Sequence, residues 1–150
     1  VKAPALILAL TALVLPIMAH AAPPFAYRMV MTPEEGPVDQ AVQARYTPAF
    51  TACQDKAQTT LDNADCFVAE FTRQDAALNR AWQAVFPKIA PAQQPLLRAA
   101  QRRWIAARDP FCRKESDGFS GGTIAPVLYV NCRVEQTIRR TLWLENLAKG

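Results

Sequence analysis

Leu97, Gln101, Trp104, Arg108 and Cys112 fall at i, i+4, i+7, i+11 and i+15. In a helix that spacing puts all five on one face. Two of the five are strongly polar, so the face is either a site of chemistry or a core that holds a polar network. Catalysis is the sharper reading, and the residue types count against it. The only histidine, His20, lies in an apolar leader, which leaves the usual triads and most general-base designs without their base. Paired carboxylates on one helical face would suit glycoside hydrolysis. Asp62 and Asp65 are three apart but sit at an expected helix start, where acidic residues cap and offset the dipole. Glu70 and Asp75 are five apart and share no face. Asp75 and Asn79 do share one, as a hydrogen-bonded pair with no partner base. The Gly-rich run at 120–123, S-G-G-T, lacks the G-K-S/T ending of a phosphate loop, and no strand precedes it. The expectation is therefore a protein that is not an enzyme and needs no cofactor or metal.

A polar network explains the interrupted face without a ligand. Gln101 and Arg108 have partners of the right type on other helices: Asp75 and Asn79 on one, Thr137 and Arg140 on another. A buried Arg requires a carboxylate or several carbonyls, and Asp75 is the nearest such group. Asp109 follows Arg108 in sequence but is expected to point to a different face.

Helices must position these residues. No strand-like alternation of useful length occurs, and there are no repeats. Thr47-Pro48 reads as an N-cap followed by Pro at the first helical position, opening a helix to about residue 60. Asp62 or Asn63 is expected to cap a second helix over residues 64–86, with the stripe Phe67, Phe71, Leu78, Trp82 and Val85. Pro87 ends it. Pro91 starts a third helix, and Pro110 is expected to kink or end it near Asp109. A last helix runs from about Pro126 to Ala148. The fold class is all-α, a compact bundle of about four helices joined by short loops. Trp82, Trp104 and Trp143 are expected in its core.

Upstream of this bundle the composition changes. Residues 1–21 carry Lys2, an apolar run from Ala5 to Met18 and the small-residue pattern Ala19-His20-Ala21, the layout of a secretory signal peptide. No lipid-attachment cysteine follows it, so no stable membrane anchor is expected after cleavage, and the protein is placed in the periplasm or outside the cell. Residues 22–46 are Pro-rich and read as an extended arm, with a short helix near 38–46. The helical domain is set at 47–150. Beyond Lys2 there remain 16 Lys+Arg against 13 Asp+Glu, a net charge of +3. That is well short of a nucleic-acid-binding composition. Arg102-Arg103 and Arg139-Arg140 are too short for such a patch and lack interleaved aromatics.

Four cysteines, Cys53, Cys66, Cys112 and Cys132, read as two structural disulfides in an exported chain. Four cysteines allow three pairings. Pairing sequence neighbours, Cys53 with Cys66 and Cys112 with Cys132, is favoured because it staples two helical hairpins. It is worth about 3 kcal/mol per bridge in the chain-entropy model. No C-x-x-C occurs, which disfavours zinc and redox readings.

Four motifs in order carry a family resemblance. Asp75, Leu78, Asn79 and Trp82 fit D-x-x-L-N-x-x-Y/W. Leu97, Gln101, Trp104, Arg108, Asp109 and Cys112 fit L-x-x-x-Q-x-x-W-x-x-x-R-D-x-x-C. Gly121-Gly122-Thr123 fit G-G-S/T, and Cys132, Thr137, Arg140 and Leu144 fit C-x-x-x-x-T-x-x-R-x-x-x-L. Over residues 50–148 the chain resembles the small exported bacterial domain named after the lysozyme inhibitor LprI, formerly catalogued as a domain of unknown function. The resemblance implies an exported, helical, disulfide-bonded, non-enzymatic binding domain, and for its namesake the inhibition of lysozyme. The chain departs from the pattern in three places. It lacks the lipoprotein cysteine of the namesake, Trp82 stands where Tyr is usual, and Pro110 follows the R-D pair. The expected partner is a lysozyme or another component of the cell envelope, and no nucleic acid. The segment tethered between Cys112 and Cys132 is the candidate partner-binding loop: Arg113, Lys114, Ser116, Asp117, Gly118, Phe119, Ser120, Gly121, Gly122 and Thr123. Its basic and glycine residues suit a cleft that carries two catalytic carboxylates. The alternative is an interaction module that binds an envelope protein or peptidoglycan without inhibiting lysozyme.

Overall fold

The computed structural model describes residue 33 and residues 40–149. The expected signal peptide, residues 1–21, lies outside the described residues, as does most of the Pro-rich arm. Among the described residues the chain is all-α and holds two disulfides. Three long helices, α3 (Thr60–Val85), α4 (Gln94–Asp117) and α5 (Ala125–Leu147), form the body, and two short ones, α1 (Gln40–Gln43) and α2 (Pro48–Gln54), pack beside it. None of these helices is long and apolar enough to cross a membrane.

α5 is the central element, packed against both α3 and α4. Short connections make α4 antiparallel to its neighbours, and the Cys112–Cys132 and Gln101–Arg140 pairs set its register on α5. One apolar cluster joins Leu78 and Ala81 of α3, Leu97 and Trp104 of α4 and Leu144 of α5. A second joins Val42 of α1 to Val134 and Ile138 of α5, with Phe67 and Phe71 against it. Trp104 is almost fully buried, whereas Trp82 and Trp143 are half-buried at the edge of the first cluster. Upstream packing reaches past residue 47: Val42 is fully buried, and Arg45 forms an ion pair with Glu145.

Helix ends differ from expectation: α4 opens at Gln94 rather than Pro91, which lies in the turn before it, and three further differences have local reasons. α2 opens on the Thr47 cap and Pro48 but stops at Gln54, well short of residue 60. The cap of α3 is Thr59, not Asp62 or Asn63. Thr59 Oγ1 accepts from the Asp62 amide, and Asp62 Oδ2 accepts from the Thr59 amide, a reciprocal capping box. Those bonds, with one from the Gln58 amide, hold the Asp62 carboxyl below its ordinary pKa.

Pro110 neither ends nor visibly breaks α4, which continues to Asp117. The ring removes one amide donor, and the carbonyl left without it belongs to Ala106, four residues back. Ala106 and Pro110 are both exposed, on the solvent side of the helix, where an unpaired carbonyl costs little. On the opposite face Arg108, Cys112 and Ser116 are all buried, and this packing carries the helix through.

Candidate functional site

The interrupted face of α4 is buried along its whole length: Leu97, Gln101, Trp104, Arg108, Cys112 and Ser116. Its polar members are met from the two other long helices. Arg140 Nε of α5 donates to Gln101 Oε1 at 2.7 Å. Arg108 Nη1 donates to Thr137 Oγ1 at 3.4 Å and lies 3.6 Å from Asp75 Oδ1 of α3. Asn79 Nδ2 donates to the other oxygen of Asp75 at 3.3 Å. Thr137 Oγ1 in turn donates to the Arg133 carbonyl at 2.7 Å. The six residues singled out from the sequence, Asp75, Asn79, Gln101, Arg108, Thr137 and Arg140, thus meet at one three-helix junction. Burial of the Arg140 guanidinium pushes its pKa down to about 10.

Asp109 requires a correction. It does not turn away from Arg108: Arg108 Nε donates to Asp109 Oδ1 at 2.9 Å, and Arg133 Nε donates to the same oxygen at 3.1 Å. The guanidinium is long enough to fold back over its own helix and meet a neighbour that a face diagram places elsewhere. Asp109 and Arg133 are members of the site that spacing alone did not supply.

Aromatic rings complete the arrangement. Arg140 stands over Trp143 at 4.0 Å and Trp104 at 5.5 Å. Arg108 lies between Trp104 at 5.5 Å and Phe71 at 4.8 Å. Arg133 lies between Phe71 at 3.9 Å and Tyr129 at 5.5 Å, and Arg113 covers Tyr129 at 5.3 Å. Guanidiniums and rings therefore alternate along the bundle in the order Trp143, Arg140, Trp104, Arg108, Phe71, Arg133, Tyr129, Arg113. The ladder runs from the half-buried Trp143 through the buried Arg140, Trp104 and Arg108 to the exposed Arg113. Each contact is worth about 0.5–1 kcal/mol near the surface and about 2 where desolvated.

A second polar cluster, not anticipated, fixes α1 and α2 to α3. Glu70 is fully buried. Its Oε1 accepts from the Thr47 amide at 3.0 Å and Gln74 Nε2 at 2.7 Å, and its Oε2 from Thr47 Oγ1 at 2.6 Å and Arg73 Nη1 at 3.1 Å. Nearby, Tyr46 Oη donates to Asn131 Oδ1, and Asn131 Nδ2 donates to Glu135 Oε1. Burial raises the pKa of both Tyr46 and Glu135.

The candidate loop is shorter than its sequence suggested. Arg113, Lys114, Ser116 and Asp117 are not loop residues but the last turns of α4. Ser116 is buried, with its hydroxyl donating to the Arg113 carbonyl at 2.9 Å. The connection proper is residues 118–124. Of its glycines Gly121 alone has positive φ, at +84°, the backbone region that glycine enters without strain. Phe119 and Ile124 are both exposed at this end of the molecule, 53% and 43% accessible.

A family model described as lysozyme inhibitor LprI matches residues 52–144. The chain belongs to this family. The matched span contains both disulfides, the three-helix junction, all eight members of the ladder and the 118–124 connection. It leaves out α1, Tyr46 and Thr47. The LprI-family chain is also similar to an uncharacterized protein of Rhizobium meliloti (strain 1021). The two are 29% identical over 108 residues, covering 63% of this chain and 78% of that protein. No solved structure matches.

Proposed function

We propose that this LprI-family protein is an exported, non-enzymatic binding protein that inhibits a lysozyme. The observation that carries the reading is the family match, which spans the core of the bundle. The geometry supports a binder more readily than a catalyst. Asp75 and Asp109, the carboxylates of the junction, both face guanidiniums. Each is engaged by an arginine of the bundle, and among the described residues no second carboxylate or other base hydrogen-bonds to it to share acid–base work. The signal-peptide layout of residues 1–21 supports export.

In this reading the end of the molecule that carries residues 113–123 meets the lysozyme cleft. It presents Arg113 and Lys114 on the last turns of α4 and the exposed Phe119 on the connection that follows. Purified protein lacking residues 1–21 is expected to slow lysis of bacterial cell walls by a c-type lysozyme in a saturable, dose-dependent way. Lysis at an unchanged rate under excess protein would overturn the reading. The net charge of +3 favours a second one, because common lysozymes are themselves strongly basic. There the same end of the bundle docks on another envelope component, and sedimentation with insoluble peptidoglycan in the absence of lysozyme is its signature.

A further inference from the structure

The Arg113 end of the ladder has features that the rest of it lacks. Arg113 follows Cys112, and Arg133 follows Cys132. The disulfide brings the two cysteines to a Cα–Cα separation of 5.5 Å. It therefore fixes the spacing of the backbones that carry these two arginines, and Tyr129 lies under both guanidiniums. Arg133 is anchored to Asp109. Arg113 forms no ion pair among the described residues. Its guanidinium is held in place by a ring rather than neutralised by a carboxylate. A planar cation kept oriented in this way loses little conformational freedom on meeting a carboxylate, and its fork matches both carboxylate oxygens. Beyond it, the exposed Phe119 adds an apolar group to the same end of the bundle.

We propose that Arg113, oriented by Tyr129, is the specificity-determining contact of the inhibitor and pairs with a catalytic carboxylate in the cleft of the lysozyme. The inference rests on the lysozyme reading above and adds to it the residue and the chemical group recognised. The chosen partner follows from charge complementarity: a cation without a carboxylate partner meets a cleft whose chemistry requires carboxylates. Arginine and tyrosine are also the residue types that most often dominate binding energy at interfaces.

The test is a double-mutant cycle read by calorimetric binding. A c-type lysozyme and its variant with both catalytic carboxylates changed to amides are each titrated with wild type, Arg113→Ala, Arg113→Lys, Tyr129→Leu and, as a control, Arg102→Ala. Arg102 is an exposed α4 residue outside the ladder. Arg113→Ala is expected to weaken binding to the intact lysozyme about tenfold or more. Against the amide variant the same change should cost less than about twofold, because coupled partners are not additive. Arg113→Lys keeps the charge but loses the planar fork, so most of the loss should remain. Tyr129→Leu should follow in the same direction with a smaller effect, and Arg102→Ala should bind as wild type. Thermal unfolding of each variant separates lost contact from lost fold. Equal binding by Arg113→Ala and wild type would overturn the inference and leave the lysozyme reading standing, as would an equal loss against both lysozymes. Absence of any binding by the wild type would overturn both.

Discussion

Glu70 shows what the residue scale contributes. One fully buried side chain receives four hydrogen bonds: two from Thr47, one from Gln74 and one from Arg73. Thr47 Oγ1 also accepts from the Phe50 amide, so the same threonine caps α2 and ties it to α3. Glu70→Ala leaves those donors facing an apolar void and is expected to cost about 2–4 kcal/mol. Urea denaturation measures the loss. Hydrogen exchange should show it first as faster opening of residues 40–54, because Gln74 also donates to the Arg45 carbonyl. A destabilisation under about 1 kcal/mol would show that the cluster is not what holds the short helices down. Nothing in the spacing announced this cluster. Cys66, Glu70, Gln74 and Leu78 lie at successive i+4 steps and are all buried. A search for apolar stripes selects Phe67 and Phe71 instead, because it counts Glu and Gln as solvent-facing. Buried polar residues are legible only when their partners are known, and Thr47 lies more than twenty positions away in sequence.

At the scale of elements, helix existence was legible and helix ends were less so. Periodicity located α3, α4 and α5, and the Thr47-Pro48 pair marked the start of α2 correctly. The Thr59 cap was missed because the capping box uses Asp62 where Glu or Gln is usual. The end of α4 was misplaced because the Pro rule assumes that the orphaned carbonyl is costly. Here that carbonyl is Ala106, on the exposed face, while the buried face supplies Arg108, Cys112 and Ser116. Pro110 should still weaken the helix. Pro110→Ala restores one backbone bond and removes the ring clash, and the gain is reduced by the greater freedom of the unfolded chain. A net stabilisation of about 1–2 kcal/mol is expected. The midpoint of thermal unfolding should rise with the Cys112–Cys132 bridge intact. A fall in the midpoint would mean that the proline sets a bend on which the packing of α4 against α5 depends. The disulfides were legible because hairpin stapling favours sequence neighbours, and both bridges form in that way.

For the whole molecule, the all-α class followed from helical periodicity and the absence of strand alternation. The junction followed from the polar residues that interrupt one face of α4 and from partners of matching type on α3 and α5, and these residues meet although they span Asp75 to Arg140. Phe71 could not be assigned to the ladder from spacing, since it meets Arg108 and Arg133 on two other helices. Tyr129 and Arg133 are four apart on α5, and only the cross-helix contact of Tyr129 with Arg113 lay beyond a periodic rule. The ladder places four of the chain's arginines along one line, within a balance beyond Lys2 of +3. That has a kinetic consequence if the partner is a basic lysozyme. Approach of two positive bodies is slowed at low salt, while the final contact of Arg113 with a carboxylate is attractive. Screening acts on both, but long-range repulsion is lost once the Debye length falls to about 10 Å near 0.1 M salt. The association rate constant is therefore expected to rise, by about twofold or more, between 0.01 and 0.15 M salt. Dissociation should quicken over the same range, because the short-range ion pair weakens. An acidic inhibitor would show the opposite trend in association. Stopped-flow binding across that salt series gives both constants. A rate that falls steeply with salt would mean that the surface meeting the lysozyme is acidic in its field, and would move the interface away from the end that carries Arg113.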